Sequence, residues 1–117
     1  MLIAIAAAHN SSYRYRLGAT IVSGGRVMGV GWSKTRNRPA NVSDEHLDRC
    51  SVHAEIDALR GISNLRRATC YVARIGAKGK TALSKPCDSC WQTLAASGVT
   101  FVYWTTDTND IAGVRLV

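Results

Sequence analysis

The first thing this sequence lacks is a long apolar run. No stretch approaches the ~18 consecutive apolar residues that a membrane-crossing helix needs, so no membrane partner is expected. A secretory leader is not expected either. The alanine-rich start, Met1–Ala8, has no basic residues ahead of it, and a strand-like segment follows almost at once, so a buried or amphipathic first helix is expected instead. Internal repeats and low-complexity segments are absent. A length of 117 residues suits one hydrophobic core, not two, and residues 1–117 are expected to form one domain. Acidic residues are scarce. Eight of them against 15 Lys and Arg leave a net charge of +7 and a pI near 9.7. That balance favours a phosphate-bearing or polyanionic partner, the plain alternative being a well-solvated basic surface.

Cysteine is limited to Cys50, Cys70, Cys87 and Cys90. Two disulfides would suit a secreted chain. Because two of the four stand in metal spacing and no leader is expected, a reducing cytoplasm is the expected setting. Cys70 lies inside an apolar run and reads as a buried side chain.

The chain predicts alternating elements. A short helix runs from Met1 to about Ser12, followed by the basic-aromatic connection Tyr13–Arg16. Leu17–Ser23 and Arg26–Gly31 read as strands, and the Gly24-Gly25 pair between them is a hairpin signal. Trp32–Arg49 is a polar loop holding Lys34, Arg36, Arg38 and Arg49. Val52–Arg60 reads as a helix stopped by Gly61, and Ala68–Ile75 as a strand. Gly76–Lys85 is a basic loop, Cys87–Ser97 a helix ended by Gly98, and Val99–Thr105 a strand. The tail leaves room for a short edge strand. Strands alternating with helices argue for an α/β layered domain, in which ligands gather at the carboxyl ends of strands.

Two stretches carry chemistry: His53-Ala54-Glu55 and Pro86-Cys87-Asp88-Ser89-Cys90. A catalytic zinc takes three protein ligands and keeps a fourth position for water, and His53, Cys87 and Cys90 supply three. Pro86 suits the approach to a helix, the i, i+3 spacing puts both thiols on one side of its first turn, and the helix dipole there favours thiolate. Glu55, two residues from His53, is placed to carry a proton without ligating. Taken singly, the same residues have ordinary readings: a core or surface histidine, a redox pair, a first-turn carboxylate. A rival set exists too. Cys50 with His53, Cys87 and Cys90 completes a Cys₃His group, which would close a structural zinc site against water.

The H-x-E and P-C-x-x-C pattern resembles that of the zinc-dependent cytidine and deoxycytidylate deaminase superfamily, over a span from Leu17 to about Thr105. A histidine as first ligand is more similar to the deoxycytidylate and tRNA-adenosine branches than to the free-cytidine branch, and the tRNA branch's longer helical C-terminus is missing. The resemblance implies a three-layer α/β/α sandwich around a five-stranded mixed sheet, with Zn²⁺ as cofactor. It implies hydrolytic deamination, in which zinc makes a water acidic near neutral pH and Glu55 shuttles its proton. It further implies that Ala54 and the Ser84–Cys87 backbone, Pro86 included, meet the base edge. Where many relatives end the second strand with Gly-x-Asn, this chain has Gly31-Trp32-Ser33, leaving Ser33 or Asn37 for that contact. Cys50 and His46 are candidates for a second, structural zinc, as in some relatives.

Tyr103 and Trp104 are candidates to cover the base by stacking, with core packing the alternative for one of them, since alternate strand residues face opposite sides. Lys34, Arg36, Arg38, Lys78, Lys80 and Lys85 could read one phosphate or several. The expected substrate is a (deoxy)nucleotide or nucleoside such as dCMP, with single-stranded nucleic acid as the alternative. A third reading is a non-catalytic, zinc-stabilised nucleic-acid-binding module. Homo-oligomers are common in the family and are expected here.

Overall fold

A computed structural model describes residues 1–11, 15–35, 51–62, 65–76 and 79–116. In chain order the elements are α1 (Leu2–Asn10), β1 (Arg16–Ser23), β2 (Arg26–Trp32), β3 (Lys34–Thr35), β4 (Ser51–Val52), α2 (Ala54–Leu59), β5 (Ala68–Ile75), β6 (Thr81–Ala82), α3 (Asp88–Ala96), β7 (Val99–Thr105) and β8 (Ile111–Arg115). The main sheet follows the order β2-β1-β5-β7-β8, five strands as expected, and β6 adds a sixth by pairing with β5. β5 and β7 run parallel, joined through α3, while the β1–β2, β1–β5 and β7–β8 pairs are antiparallel. The β1–β2 turn works because Gly24 and Gly25 both adopt positive φ, 59° and 78°, which a two-residue hairpin with right-handed strand twist requires.

Glycine placement shows which helix covers which face. A side chain at Gly18 would collide with the backbone of Ala4 and Ala8, so this face of β1 lies against α1. Gly31 pairs with Ala19, the next residue of β1, and therefore points the other way, where a Cβ would lie 2.6 Å from Ala54 O. α1 and α2 thus cover opposite faces. Trp104 pairs with Val72, and Val72 with Ala19, so Trp104 is on the α2 face. There its ring meets Trp91 of α3 edge-on at 6.1 Å. The result is an α/β/α sandwich with the main core between the sheet and α2–α3: Ile21, Ala54, Ala58, Cys70, Val72, Leu94, Val102 and Trp104.

α1 departs from expectation in how it packs. It is apolar on nearly all sides, yet the buried residues are Ala4, Ala7 and Ala8, while Leu2 and Ile3 are exposed. Only small residues can approach the bare backbone at Gly18. Among the described residues, no helix is long and apolar enough to cross a membrane.

Candidate metal centre and its surroundings

The two halves of the candidate site meet at the carboxyl ends of β5 and β7. β3 pairs with β4, setting Lys34 opposite Val52, so the chain leaving β2 is tied to the residue just before His53. His53 is then the extended N-cap of α2 (φ −71°, ψ 145°), and the Asp57 amide donates to its carbonyl at 3.0 Å. Cys87 plays the same part for α3, with the Trp91 amide donating to its carbonyl at 2.8 Å. Neither N-cap side chain bonds to its own helix. Ser, Thr, Asp or Asn would stabilise these caps by about 1 kcal/mol each. Histidine and cysteine forgo that and leave their donor atoms pointing elsewhere.

Those atoms converge. His53 Nδ1 is 3.1 Å from Cys90 Sγ and 3.8 Å from Cys87 Sγ, and one donor atom from each residue lies within 4.8 Å of the others. Among the described residues this is the only group of three or more such donors. One nitrogen and two sulfurs at this separation fit a tetrahedral ion, whose ligand bonds are about 2.0–2.3 Å, with some opening of the tighter pair. His53 and Cys87 are exposed and Cys90 is buried, so the group faces solvent on one side.

Glu55, at 3% exposure, lies just inside this group. Burial raises its carboxyl above the ordinary range, opposed by a bond to its own backbone amide, by Cys90 and by the His53 charge. At Cys90 burial opposes the preference of the helix start for thiolate. Burial pushes that thiol up, with the charge of Glu55 and the neighbouring Cys87 adding to it, and a divalent cation among the donors reverses that balance. Cys70 lies beneath, raised by burial and then by Glu55, and acts as core.

Several expected contacts take other parts. Ser33 is buried at 3% exposure. Its hydroxyl donates to Tyr15 O at 2.6 Å, accepts from the Leu17 amide at 3.0 Å and meets Ser11 Oγ at 2.8 Å. With its hydrogen-bonding capacity used at the α1–β1–β2 junction, the Ser33 hydroxyl acts as a structural brace. Ser84 is similarly committed: its amide donates to Thr105 O, and its hydroxyl accepts from the Thr105 amide and reaches Val72 O. What this provides is the position of Pro86-Cys87, because Ser84 pins the loop between β5 and β7. Ala54 and Pro86 are both buried beside the donors.

Trp104 takes the core-packing alternative held open for one of the two aromatics. It is 9% exposed, packed on Trp91, with Lys85 Nζ 5.6 Å from its ring centre. Tyr103 faces the opposite side of the sheet and stacks on Tyr71 at 5.6 Å. Lys34, expected to read phosphate, is paired with Asp57 at 3.1 Å. Asp57 was not singled out by the sequence. Its buried carboxylate also accepts from the Trp32 amide at 3.2 Å, bolting the exit of β2 to α2. Its only sequence signal is a second carboxylate in the first turn after His53. Asn37, His46 and Cys50, with Arg36, Arg38, Arg49 and Lys78, lie outside the described residues.

An α/β sandwich holding an imidazole and two thiols together beside a buried carboxylate defines a zinc-dependent enzyme class. The family model for the cytidine and deoxycytidylate deaminase zinc-binding region matches residues 1–106. The chain belongs to that family of zinc-dependent deaminases. No curated protein matches it. Among solved structures it is similar to a cytidine deaminase from Burkholderia pseudomallei, with TM-score 0.69 and 20% identity over 98% of this chain and 88% of the other. It is also similar to the dCMP deaminase of cyanophage S-TIM5 in complex with dCMP and dUMP, with TM-score 0.62 and 22% identity over 90% and 74%. The cytidine deaminase of Mycobacterium tuberculosis gives TM-score 0.58 and 20% identity over 97% and 84%.

Proposed function

We propose that this chain hydrolyses the exocyclic amine of cytosine in a (deoxy)nucleotide or nucleoside such as dCMP, giving the uracil form and ammonia, with residues 1–117 as one catalytic unit. The observation that carries the proposal is the convergence of His53, Cys87 and Cys90 beside a buried Glu55. Zinc, when bound, supplies Lewis acidity that brings the pKa of a water toward ~7. His53, Cys87 and Cys90 hold it. Glu55, its carboxyl raised by burial, takes a proton from the attacking water and delivers it toward the leaving amine. The C–N bond breaks, a C–O bond forms, and the carboxylate is restored. Ala54 and Pro86, packed against the donors, shape the floor on which the base lies, and Lys85 stands next to Pro86 within reach of a substrate phosphate.

Further proposals follow from the same reading. Two cysteines in metal spacing suit a cytoplasmic location, and exposed Leu2, Ile3, Val27, Met28 and Val30 suit self-association, which light scattering tests. The deciding experiment is Glu55→Gln, assayed for ammonia release from dCMP, cytidine and a cytosine-containing oligonucleotide side by side. Loss of turnover by about 10²-fold or more with zinc retained supports the reading; unchanged turnover defeats it. The substrate preference separates monomer from polymer.

A further inference from the structure

The topology gathers four arginines, Arg26, Arg66, Arg67 and Arg115, at the end of the sheet remote from the zinc donors, with Arg60 between that end and the donors. β1 runs against β5 with Val22 opposite Thr69, which brings the turn and Arg26 to the start of β5. Arg66 and Arg67 lead directly into β5. α2 runs away from His53 and ends at Arg60. β8 runs against β7, placing Arg115 opposite Phe101 near the start of β7. All five side chains are exposed. The described segments that form this end or lead to it, residues 23–26, 60–62, 65–67, 96–99 and 115–116, contain no Asp or Glu.

The described acids lie elsewhere. Glu55, Asp57 and Asp88 occupy the first turns of α2 and α3, and Asp107 and Asp110 the turn between β7 and β8, all at the donor end. The described acids are therefore confined to the donor end, where Arg16, Lys34, Arg74, Lys80 and Lys85 offset them, while the far end of the sheet, about 25 Å away along an eight-residue strand, carries arginine without acid. Of the five arginines, Arg60 alone has an ion-pair partner among the described residues, Asp57 at 3.9 Å, and its side chain stays 67% exposed.

The backbone adds an independent observation. Arg67 adopts φ 49°, a left-handed conformation that Gly or Asn enters at lower cost. Ser23 Oγ donates to Arg66 O at 3.1 Å, fastening the residue before Arg67 to the end of β1.

We infer that this arginine pole, with Phe101, is a docking surface for single-stranded nucleic acid, separate from the catalytic centre. Guanidinium forks match phosphate oxygens in bidentate fashion, and several spread over one end suit repeated phosphates. Phe101 distinguishes the partner from an acidic protein. It is 37% exposed, with Arg115 Cζ 6.0 Å from its ring centre, an aromatic-plus-arginine platform on which an unpaired base stacks. The surface would hold the enzyme on a polymer while the centre at the other end works on its substrate.

The test uses zinc-loaded protein and a fluorescein-labelled oligothymidylate, whose bases carry no exocyclic amine, so binding is scored apart from deamination. The triple variant Arg26→Gln, Arg66→Gln, Arg67→Gln is expected to lose about tenfold or more in affinity. Its salt slope should shrink by about 2, at ~0.7 for each phosphate no longer neutralised. Phe101→Leu is expected to weaken binding several-fold with the salt slope kept. Unchanged melting and zinc content certify the fold. If the triple variant melts early, Arg60→Gln with Arg115→Gln, which leaves the Ser23–Arg66 bond intact, is read instead, with a slope change of about 1.4. Wild-type affinity in these variants overturns the inference. So does polyglutamate competing as well as oligothymidylate, which would mark an acidic-protein surface. Either failure leaves the deaminase reading standing, since the probe never tests turnover.

Discussion

His53 Nδ1 lies 3.1 Å from Cys90 Sγ although 37 residues separate them in sequence. The encounter depends on two helices that begin at the same end of one sheet, one capped by His53 and the other by Cys87.

Removing either partner should therefore cost metal before it costs fold. His53→Ala and Cys90→Ala are each expected to lower zinc affinity by at least about tenfold and abolish turnover, given the loss of one of three ligands. Metal content after dialysis against a graded chelator series is the measurement. Full zinc retention in both variants would show that the metal is held elsewhere.

Ser33 gives a prediction of the opposite kind. Ser33→Ala leaves the Leu17 amide and Tyr15 carbonyl without this buried partner and should cost about 1–3 kcal/mol of stability. KM should stay within about twofold of wild type, because the hydroxyl faces the β1–β2 junction. Denaturant unfolding and steady-state kinetics on the same preparation separate the two effects. A rise in KM at unchanged stability would make Ser33 a substrate contact.

Gly18 and Gly31 form a matched pair. Alanine at either position collides with helix backbone, α1 for Gly18 and α2 for Gly31, and overpacking of this kind costs about 1–3 kcal/mol or more. Both variants should melt earlier. Gly31→Ala should also weaken zinc binding, because α2 carries His53 and Glu55, while a stable fraction of Gly18→Ala should bind zinc as wild type does.

Thiol chemistry follows from burial. Cys70, fully buried and raised by its surroundings, should resist alkylation at pH 8 until the chain unfolds. Exposed Cys87 should react in chelator-treated protein and be protected by added zinc. Peptide mapping after timed alkylation reads both sites. Rapid native labelling of Cys70 would contradict its place in the core.

Much of this was legible from residue order. Gly24-Gly25 marks a hairpin because few other pairs tolerate that turn, and Gly61 and Gly98 stop the helices before them with φ of 74° and 100°. The histidine, glutamate and paired cysteines declare themselves because their spacing matters to metal chemistry. β3, β4 and β6 could not be read, since two-residue ladders have no periodicity. The bracing roles of the Ser33 and Ser84 hydroxyls were hidden for a different reason. A hydroxyl's partner is fixed by which strands become neighbours, and sequence shows the hydroxyl without the partner. Which of Tyr103 and Trp104 faces α2 and α3 is a matter of strand parity, which the register with Val72 decides.

The seat of α2 on Gly29 and Gly31 has a practical meaning for anyone altering this enzyme. Where backbone rests on backbone there is no side chain to repack, so the helix has one depth and tolerates no compromise. New specificity is better sought in the 79–86 loop, whose exposed Leu83 and Lys85 can be exchanged without disturbing how deeply the histidine and glutamate are set.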